Sequence, residues 1–179
     1  MKILIFSDSH GDVETMCDIV EKEKPEMIIH LGDCIADAEQ LNNKFPDITM
    51  IKNYGNADSK AEDEEWIKYT DICGKRFMMT HGHIFCDIEG DVTDEKARRK
   101  MYKSMYENNA DVLLHGHAHE PYLHGTQMTP TRYCWIMCPG RIGRKVNYFG
   151  TYNQIYGVVQ INETGSFEWQ FTEVEACEK

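Results

Sequence analysis

No apolar run in this 179-residue sequence is long enough to cross a bilayer, which takes about 20 consecutive residues. The N-terminal run, Ile3 to Phe6, is also too short for the core of a secretory signal. Positive charge is scarce: 19 Lys and Arg stand against 30 Asp and Glu, a net charge of −11. That balance argues against nucleic acid or a membrane as partner, since either would want a basic footprint. The seven cysteines (17, 34, 73, 86, 134, 138 and 177) include no C-x-x-C pair, so no redox pair or zinc ribbon is written here. Cys134 and Cys138, with three residues between them and no second pair, are not read as a zinc pair, and Cys34 and Cys86 read as small buried side chains. The odd count and the absence of an export segment make the cysteines reduced thiols, and the expected location is cytoplasmic. No Ser or Cys sits in a nucleophile elbow, which removes Ser-His-Asp and Cys-His catalysis. There is no repeat, linker or low-complexity stretch, so residues 1–179 are expected to form one domain.

What the chain does have is histidine in unusual places. His115-Gly116-His117-Ala118-His119 follows directly on the apolar run Val112-Leu113-Leu114. A strand that ends in such a turn presents imidazoles at a sheet edge, and neutral imidazole is the commonest protein metal ligand. The rest of the chain repeats this plan. Lys2-Ile3-Leu4-Ile5-Phe6 is a continuous apolar run of the kind buried on both faces, and it leads into Asp8-Ser9-His10. Asp12 is placed to cap a helix with the stripe Val13, Met16, Cys17 and Val20, which Pro25 stops. Met27-Ile28-Ile29 leads to Gly32-Asp33, a second helix is expected over about 36–44, and Thr49-Met50-Ile51 leads to Gly55-Asn56. A hairpin across Gly74 delivers Phe77-Met78-Met79 to His81-Gly82-His83. A helix between Thr93 and Asn108 carries Lys96, Arg99, Lys100 and Lys103 on its polar face. Four strands without helices follow, at 122–128, 133–137, 154–161 and 167–174. The order of elements therefore predicts an α/β start with an α+β-like, all-strand second half.

Five apolar runs thus end in Gly-containing loops that carry Asp, Asn or His. Where strands run parallel, their C-terminal ends lie together and form the binding crevice. Two carboxylates, one amide and several imidazoles are too nitrogen-rich for calcium and suit divalent transition metals. A pair of such ions roughly 3.5–4 Å apart needs a bridging carboxylate and generates a hydroxide for attack at phosphorus.

In these blocks the sequence resembles the calcineurin-like metallophosphoesterase superfamily, and within it the small YfcE-like phosphodiesterase branch. The family motifs D-x-H, G-D, G-N, H-G and G-H-x-H stand here as Asp8-Ser9-His10, Gly32-Asp33, Gly55-Asn56, His81-Gly82 and Gly116-His117-Ala118-His119. The resemblance implies a four-layer α/β/β/α sandwich of two mixed sheets flanked by helices. It implies that Asp8, His10 and His119 hold one metal, Asn56, His81 and His117 the other, and that Asp33 bridges. The cofactor would be two divalent ions, with manganese favoured and iron, nickel or zinc compatible.

Two positions depart from relatives. Many phosphomonoesterases of the superfamily place a histidine after the G-N asparagine; here Ala57 stands there, with no proton to give and no charge for a dianion. Small phosphodiesters are therefore the expected substrate. Relatives often read N-P-G-S where this chain reads Cys138-Pro139-Gly140-Arg141. Arg141 is a candidate contact for a substrate phosphate, although a surface arginine is the safer reading. His83 is placed to face substrate as a candidate general acid, giving Asp33, Asn56 and His83 as the catalytic set. His30 reads as a packing residue or a support behind the ligands, and His115 and His124 as strand residues. A homo-oligomer is plausible. The alternative function is a non-catalytic scaffold on the same fold, since the superfamily includes a vesicle-coat subunit with altered ligands. A metallo-β-lactamase site is excluded, because Glu120-Pro121 follows His119 where that motif needs Asp-His.

Overall fold

The structure, a computed structural model, describes residues 1–59, 62, 64–86, 94–143, 146–147, 150–151 and 153–174. The first half alternates strand and helix: β1 (Lys2–Phe6), α1 (Val13–Glu23), β2 (Met27–His30), α2 (Ile35–Lys44) and β3 (Thr49–Lys52). Then come β4 (Ile67–Ile72), β5 (Lys75–Thr80), a 3-10 turn (His83–Phe85), α3 (Glu95–Glu107) and β6 (Val112–Leu114). The remainder is β7 (Pro121–Thr129), β8 (Arg132–Pro139), β9 (Val146–Asn147), β10 (Gly150–Thr151), β11 (Ile155–Ile161) and β12 (Phe167–Glu173).

Local chemistry sets the helix ends. The Asp12 carboxylate accepts from the Thr15 N–H and caps α1, and Lys24 closes the helix in a left-handed conformation just before Pro25. Asp94 does the same for α3 through the Ala97 N–H, while Thr93 lies outside the described residues. Helix α2 starts at Ile35, one residue before the expected position.

One five-stranded sheet has the order β12-β11-β1-β2-β3 and the other β4-β5-β6-β8-β7. β1, β2 and β3 run parallel, as do β5, β6 and β8. The alternation of side chains along each strand divides the core into three. Ile3, Ile5 and Ile29 pack with Phe77, Met79, Val112 and Leu114 between the sheets. Leu4, Phe6 and Ile28 face outward onto Met16, Ile19, Val20 and Leu41 of α1 and α2. Met78, Leu113 and Ile136 face outward onto Ala97, Met101 and Met105 of α3. This is the α/β/β/α sandwich expected from the resemblance. The near-continuous apolar strands β1 and β2 are explained, because both of their faces are covered.

The strands of the second half do not form one continuous sheet. Hairpin β7–β8 completes one sheet and hairpin β11–β12 the other, with β11 antiparallel to β1. Periodicity marks a strand but not the sheet it joins, so this division was not visible beforehand. The short pair β9–β10 was also not anticipated; two residues a side carry no pattern. Cys134 and Cys138 are fully buried in the core under α3, as small apolar side chains, and the described cysteines are free thiols.

Four of the loop glycines are needed for two different reasons. Gly11, Gly32 and Gly82 have φ of 94°, 103° and 111°, where a Cβ is disfavoured. Gly55 is needed instead for close approach: a Cβ there would lie 2.0 Å from Asp33 Oδ1 and 2.5 Å from the Asp33 backbone nitrogen. We therefore expect Gly55→Ala to cost about 1–3 kcal/mol as an overpacking change, at about 2–4 °C of Tm for each kcal/mol in a chain of this size. Thermal unfolding measures this, and an unchanged Tm would show that the Asp33 loop can move aside.

Candidate active site

The loops after β1, β2 and β3 come from one sheet, and those after β5 and β6 from the other. They meet across the top of the sandwich. Asp8 is at the centre and fully buried. Its Oδ2 accepts from Ser7 Oγ at 2.5 Å and from the His117 N–H at 3.1 Å. Its Oδ1 lies 3.1 Å from His119 Nε2 and 3.9 Å from His81 Nε2. Burial by itself would raise the Asp8 pKa. The His119 hydrogen bond, the charges of His81 and His119 and the Ser7 hydroxyl outweigh it and hold the carboxyl well below the usual range. Asp33 Oδ1 lies 3.3 Å from His81 Nε2 and accepts from the Ala57 N–H at 3.0 Å.

The imidazoles are oriented by the backbone. His81 Nδ1 is 3.1 Å from the Leu31 carbonyl. A carbonyl only accepts, so Nδ1 donates to it, and Nε2 is turned toward Asp33 and Asp8. His117 Nδ1 lies 3.2 Å from that same Nε2. His10 Nε2 is buried without a hydrogen-bond partner, while its Nδ1 is 3.9 Å from Cys34 Sγ. Burial lowers the His10 pKa, against the pull of Asp8 and Asp33. Two groups have ligand atoms within 4.8 Å of one another: Asp8, His10 and His119, and Asp8, Asp33 and His81. Asp8 belongs to both. Carboxylate oxygens, imidazole nitrogens and an orphaned buried ring nitrogen together fit divalent transition metals. Asn56 is exposed, next to Ala57.

The ligand loops are strained. Asp8, His10, Asp33, His117 and His119 have φ of 56°, 44°, 57°, 68° and 60°. Each such residue costs on the order of 1–2 kcal/mol in a non-glycine. The strain is held by a buried network. The Gly32 N–H donates to His30 Nδ1 at 3.3 Å, so His30 Nε2 carries the proton and donates to Ser9 Oγ at 3.2 Å. Ser9 Oγ in turn donates to Asp37 Oδ2 at 2.7 Å, which also accepts the Gly11 N–H at 2.7 Å. Asp58 ties another loop, accepting from the Ile35 and Gly55 N–H groups at 2.7 and 2.8 Å. His30 is thus the supporting residue expected. Ser9, Asp37 and Asp58 were missed; Asp37 reads in sequence as an ordinary acidic residue in the first turn of a helix.

His83 is half-buried in the 3-10 turn, with ring centroids 5.7 Å from His81 and 6.3 Å from His117. Burial first, then the neighbouring His81 and His117, push its pKa down to about 4. His115 lies one residue past β6, fully buried, and His124 lies in β7 with Nδ1 2.8 Å from Tyr102 Oη. Arg141 is corrected from a surface arginine: it is 1% exposed, and its Nε donates to the Gly143 carbonyl at 3.1 Å. The reason is that its loop docks on the Asp8 loop. The Ile142 and Gly143 N–H groups donate to the Ser7 and Asp8 carbonyls at 3.0 and 2.9 Å. The basic face of α3 is exposed at Lys96, Arg99 and Lys100, and Glu95 neutralises Arg99 at 2.6 Å.

A two-sheet sandwich with histidines and carboxylates gathered at its loop edge defines the metallophosphoesterase class. Residues 1–164 match the family model of the calcineurin-like phosphoesterase superfamily domain, and the chain belongs to that superfamily. It is 27% identical over 121 residues to the probable metallophosphoesterase YsnB of Bacillus subtilis, covering 66% of this chain and 64% of YsnB. The match therefore spans just under two thirds of that relative. Among solved structures, the YfcE phosphoesterase of E. coli superposes with a TM-score of 0.60 at 18% identity, over 97% of this chain and 98% of that one. Wild-type Vps29 of Entamoeba histolytica, solved with zinc, superposes with a TM-score of 0.65 at 15% identity, over 97% and 99%. These two likenesses show the fold. No described helix is long and apolar enough to cross a membrane.

The buried histidines make stability depend on pH. His30 and His115 are both held at about 4, mainly by burial, below the ordinary value near 6.5. The unfolded chain then binds more protons than the native one below about pH 6.5, so stability falls as pH falls toward 4. The loss is on the order of 3 kcal/mol for each histidine by pH 4, and Asp8 adds to it in the same direction. Chelator-treated protein should have a lower urea midpoint at pH 5 than at pH 7. Equal midpoints would mean these groups titrate alike folded and unfolded.

Proposed function

We propose that the chain is a binuclear metal-dependent phosphoesterase that hydrolyses small phosphodiesters in the cytoplasm. The observation that carries this reading is the clustering of Asp8, His10, Asp33, His81, His117 and His119 from two sheets around one buried carboxylate. In this reading Asp8, His10 and His119 hold one divalent ion, Asn56, His81 and His117 the other, and Asp33 is shared. Two bound divalent ions would activate water and offset charge on the phosphoryl oxygens. The chain's own residues do the rest. Ser7 and the His117 N–H keep Asp8 ionised, and the Leu31 carbonyl fixes the His81 tautomer. The network of Gly32, His30, Ser9, Asp37 and Gly11 holds the Asp8–His10 loop.

His83, at about 4, carries no extra proton at neutral pH. It would meet substrate as a neutral imidazole and donate through its N–H, not as an imidazolium acid. With neither a protonated His83 nor a histidine at position 57, the leaving group departs with little help, which favours diesters with stable leaving groups. Arg141, buried behind the Asp8 loop, supplies a fixed positive charge close to the phosphate position rather than a surface contact. The second reading, an interaction scaffold, draws on the likeness to Vps29. The filled ligand positions speak for the enzyme.

The test is hydrolysis of bis(4-nitrophenyl) phosphate beside 4-nitrophenyl phosphate, using chelator-stripped protein with and without manganese. We expect manganese-dependent turnover of the diester and little of the monoester. Asp33→Asn should lower diester turnover by more than tenfold, about 1.4 kcal/mol of barrier, with an unchanged Tm of the metal-free protein. A smaller loss would reassign the shared carboxylate to Asp8, and no turnover under several metals would favour the scaffold. Position 57 has its own test. Ala57 is exposed while its N–H holds Asp33, so Ala57→His should raise the monoester-to-diester ratio of kcat/KM. An unchanged ratio would show that this side chain does not reach the leaving group.

A further inference from the structure

One side of the site is aromatic. In hairpin β4–β5 the last register pair is Ile67 with Thr80. Trp66 is therefore carried one residue further, alongside His81. Its indole meets the His83 imidazole edge to face, with centroids 4.6 Å apart and an interplanar angle of 80°. The Trp66–His83 and His83–His81 separations, 4.6 and 5.7 Å, put the indole within about 10 Å of the His81 ring, where aromatic neighbours in direct contact sit 4.5–7 Å apart. Trp66 and His83 are both half-buried, and Ile84 beside them is 39% exposed. Tyr54, two residues before Asn56, stands on the same margin, with Lys68 Nζ 5.9 Å from its ring centroid.

A large aromatic at such a place needs a reason. Behind the site, the β5 side chains Phe77, Met78 and Met79 are fully buried, while the Trp66 indole keeps part of its surface exposed. What it offers is a partly exposed aromatic ring linked through His83 to the His81 imidazole. Methyl or glycerol esters gain little there. A planar ring gains stacking, and stacking on indole is tolerant of which base is presented. The acidic chain argues against a polynucleotide, which leaves a small ester.

We propose that Trp66, with His83 at its edge, forms a stacking subsite beside the metal ligands, and that the substrate is a small phosphodiester bearing a planar aromatic group of the nucleoside kind. The proposal rests on the phosphoesterase reading and deepens it by naming the substrate class. Trp66 acts on specificity and binding; no step of the chemistry passes through it.

The test uses two phosphates that differ by the base alone. Adenosine 5′-monophosphate and ribose 5-phosphate are titrated calorimetrically into the full chain in the presence of manganese. We expect the wild type to bind the nucleotide about tenfold or more tightly than the sugar phosphate, the scale of one base stacked on an aromatic side chain. Trp66→Leu should remove that margin and leave ribose 5-phosphate affinity unchanged, while Trp66→Tyr keeps most of it. Equal wild-type affinities for the two phosphates would overturn the subsite alone, and this comparison needs no variant to fold. A margin that survives in a folded Trp66→Leu protein would also overturn it. Binding of neither phosphate by protein that still turns over bis(4-nitrophenyl) phosphate would overturn the subsite alone; binding of neither together with no diester turnover would overturn the phosphoesterase reading as well.

Discussion

The structure depends on one buried carboxylate. Asp8 lies at the end of a strand with no exposed surface, and a charge in that position is tolerated only when it is paired and hydrogen-bonded. Its partners come from both halves of the chain: Ser7 from its own loop, and the His117 N–H and the His119 imidazole from the other sheet. Satisfying this charge therefore requires the two sheets to be docked with the loops after β1 and β6 face to face. The apolar layer between the sheets supplies most of the driving force for docking. It is Asp8 that fixes which loops meet.

Around that requirement the backbone accepts strain. Five residues that carry the site's donor atoms lie in the left-handed region, and the cost is met by hydrogen bonds that have no catalytic chemistry of their own. Asp37 and Asp58 illustrate the point. Each is a carboxylate spent on loop N–H groups, Asp37 on the Asp8 loop and Asp58 on the Gly55 loop and the start of α2. The chain thus devotes acidic residues both to the site and to holding the site's shape.

Much of this was legible in the sequence, for a local reason. A strand covered on both faces must be continuously apolar, so β1, β2 and β5 announce themselves, and the polar residue that ends each run is placed at a sheet edge by the run itself. Asp8, Asp33, His81, His117 and His119 were placed at the loop edge that way. The misses share the opposite character. Whether hairpin β11–β12 pairs with β1 or elsewhere is decided by contacts far apart in the chain. Arg141 looked like a surface residue because a lone arginine after a glycine usually is one; its burial follows from the docking of the Ile142–Gly143 backbone on the Asp8 loop. Asp37 looked like a helix-terminal acid because Ser9, its partner, is 28 residues away.

The meeting of loops from two sheets also makes the site a clasp. A ligand that touches Asp8 or Asp33 and also His81 or His117 spans the seam of the sandwich, and separating the sheets would require it to leave. Occupancy then enters the folding equilibrium directly, adding about 2.7 kcal/mol when the ligand is present at a hundred times its dissociation constant. The same atoms that would recognise a substrate would set how firmly the two halves of the molecule stay closed. The effective stability of this protein would then be a property of its surroundings as much as of its sequence.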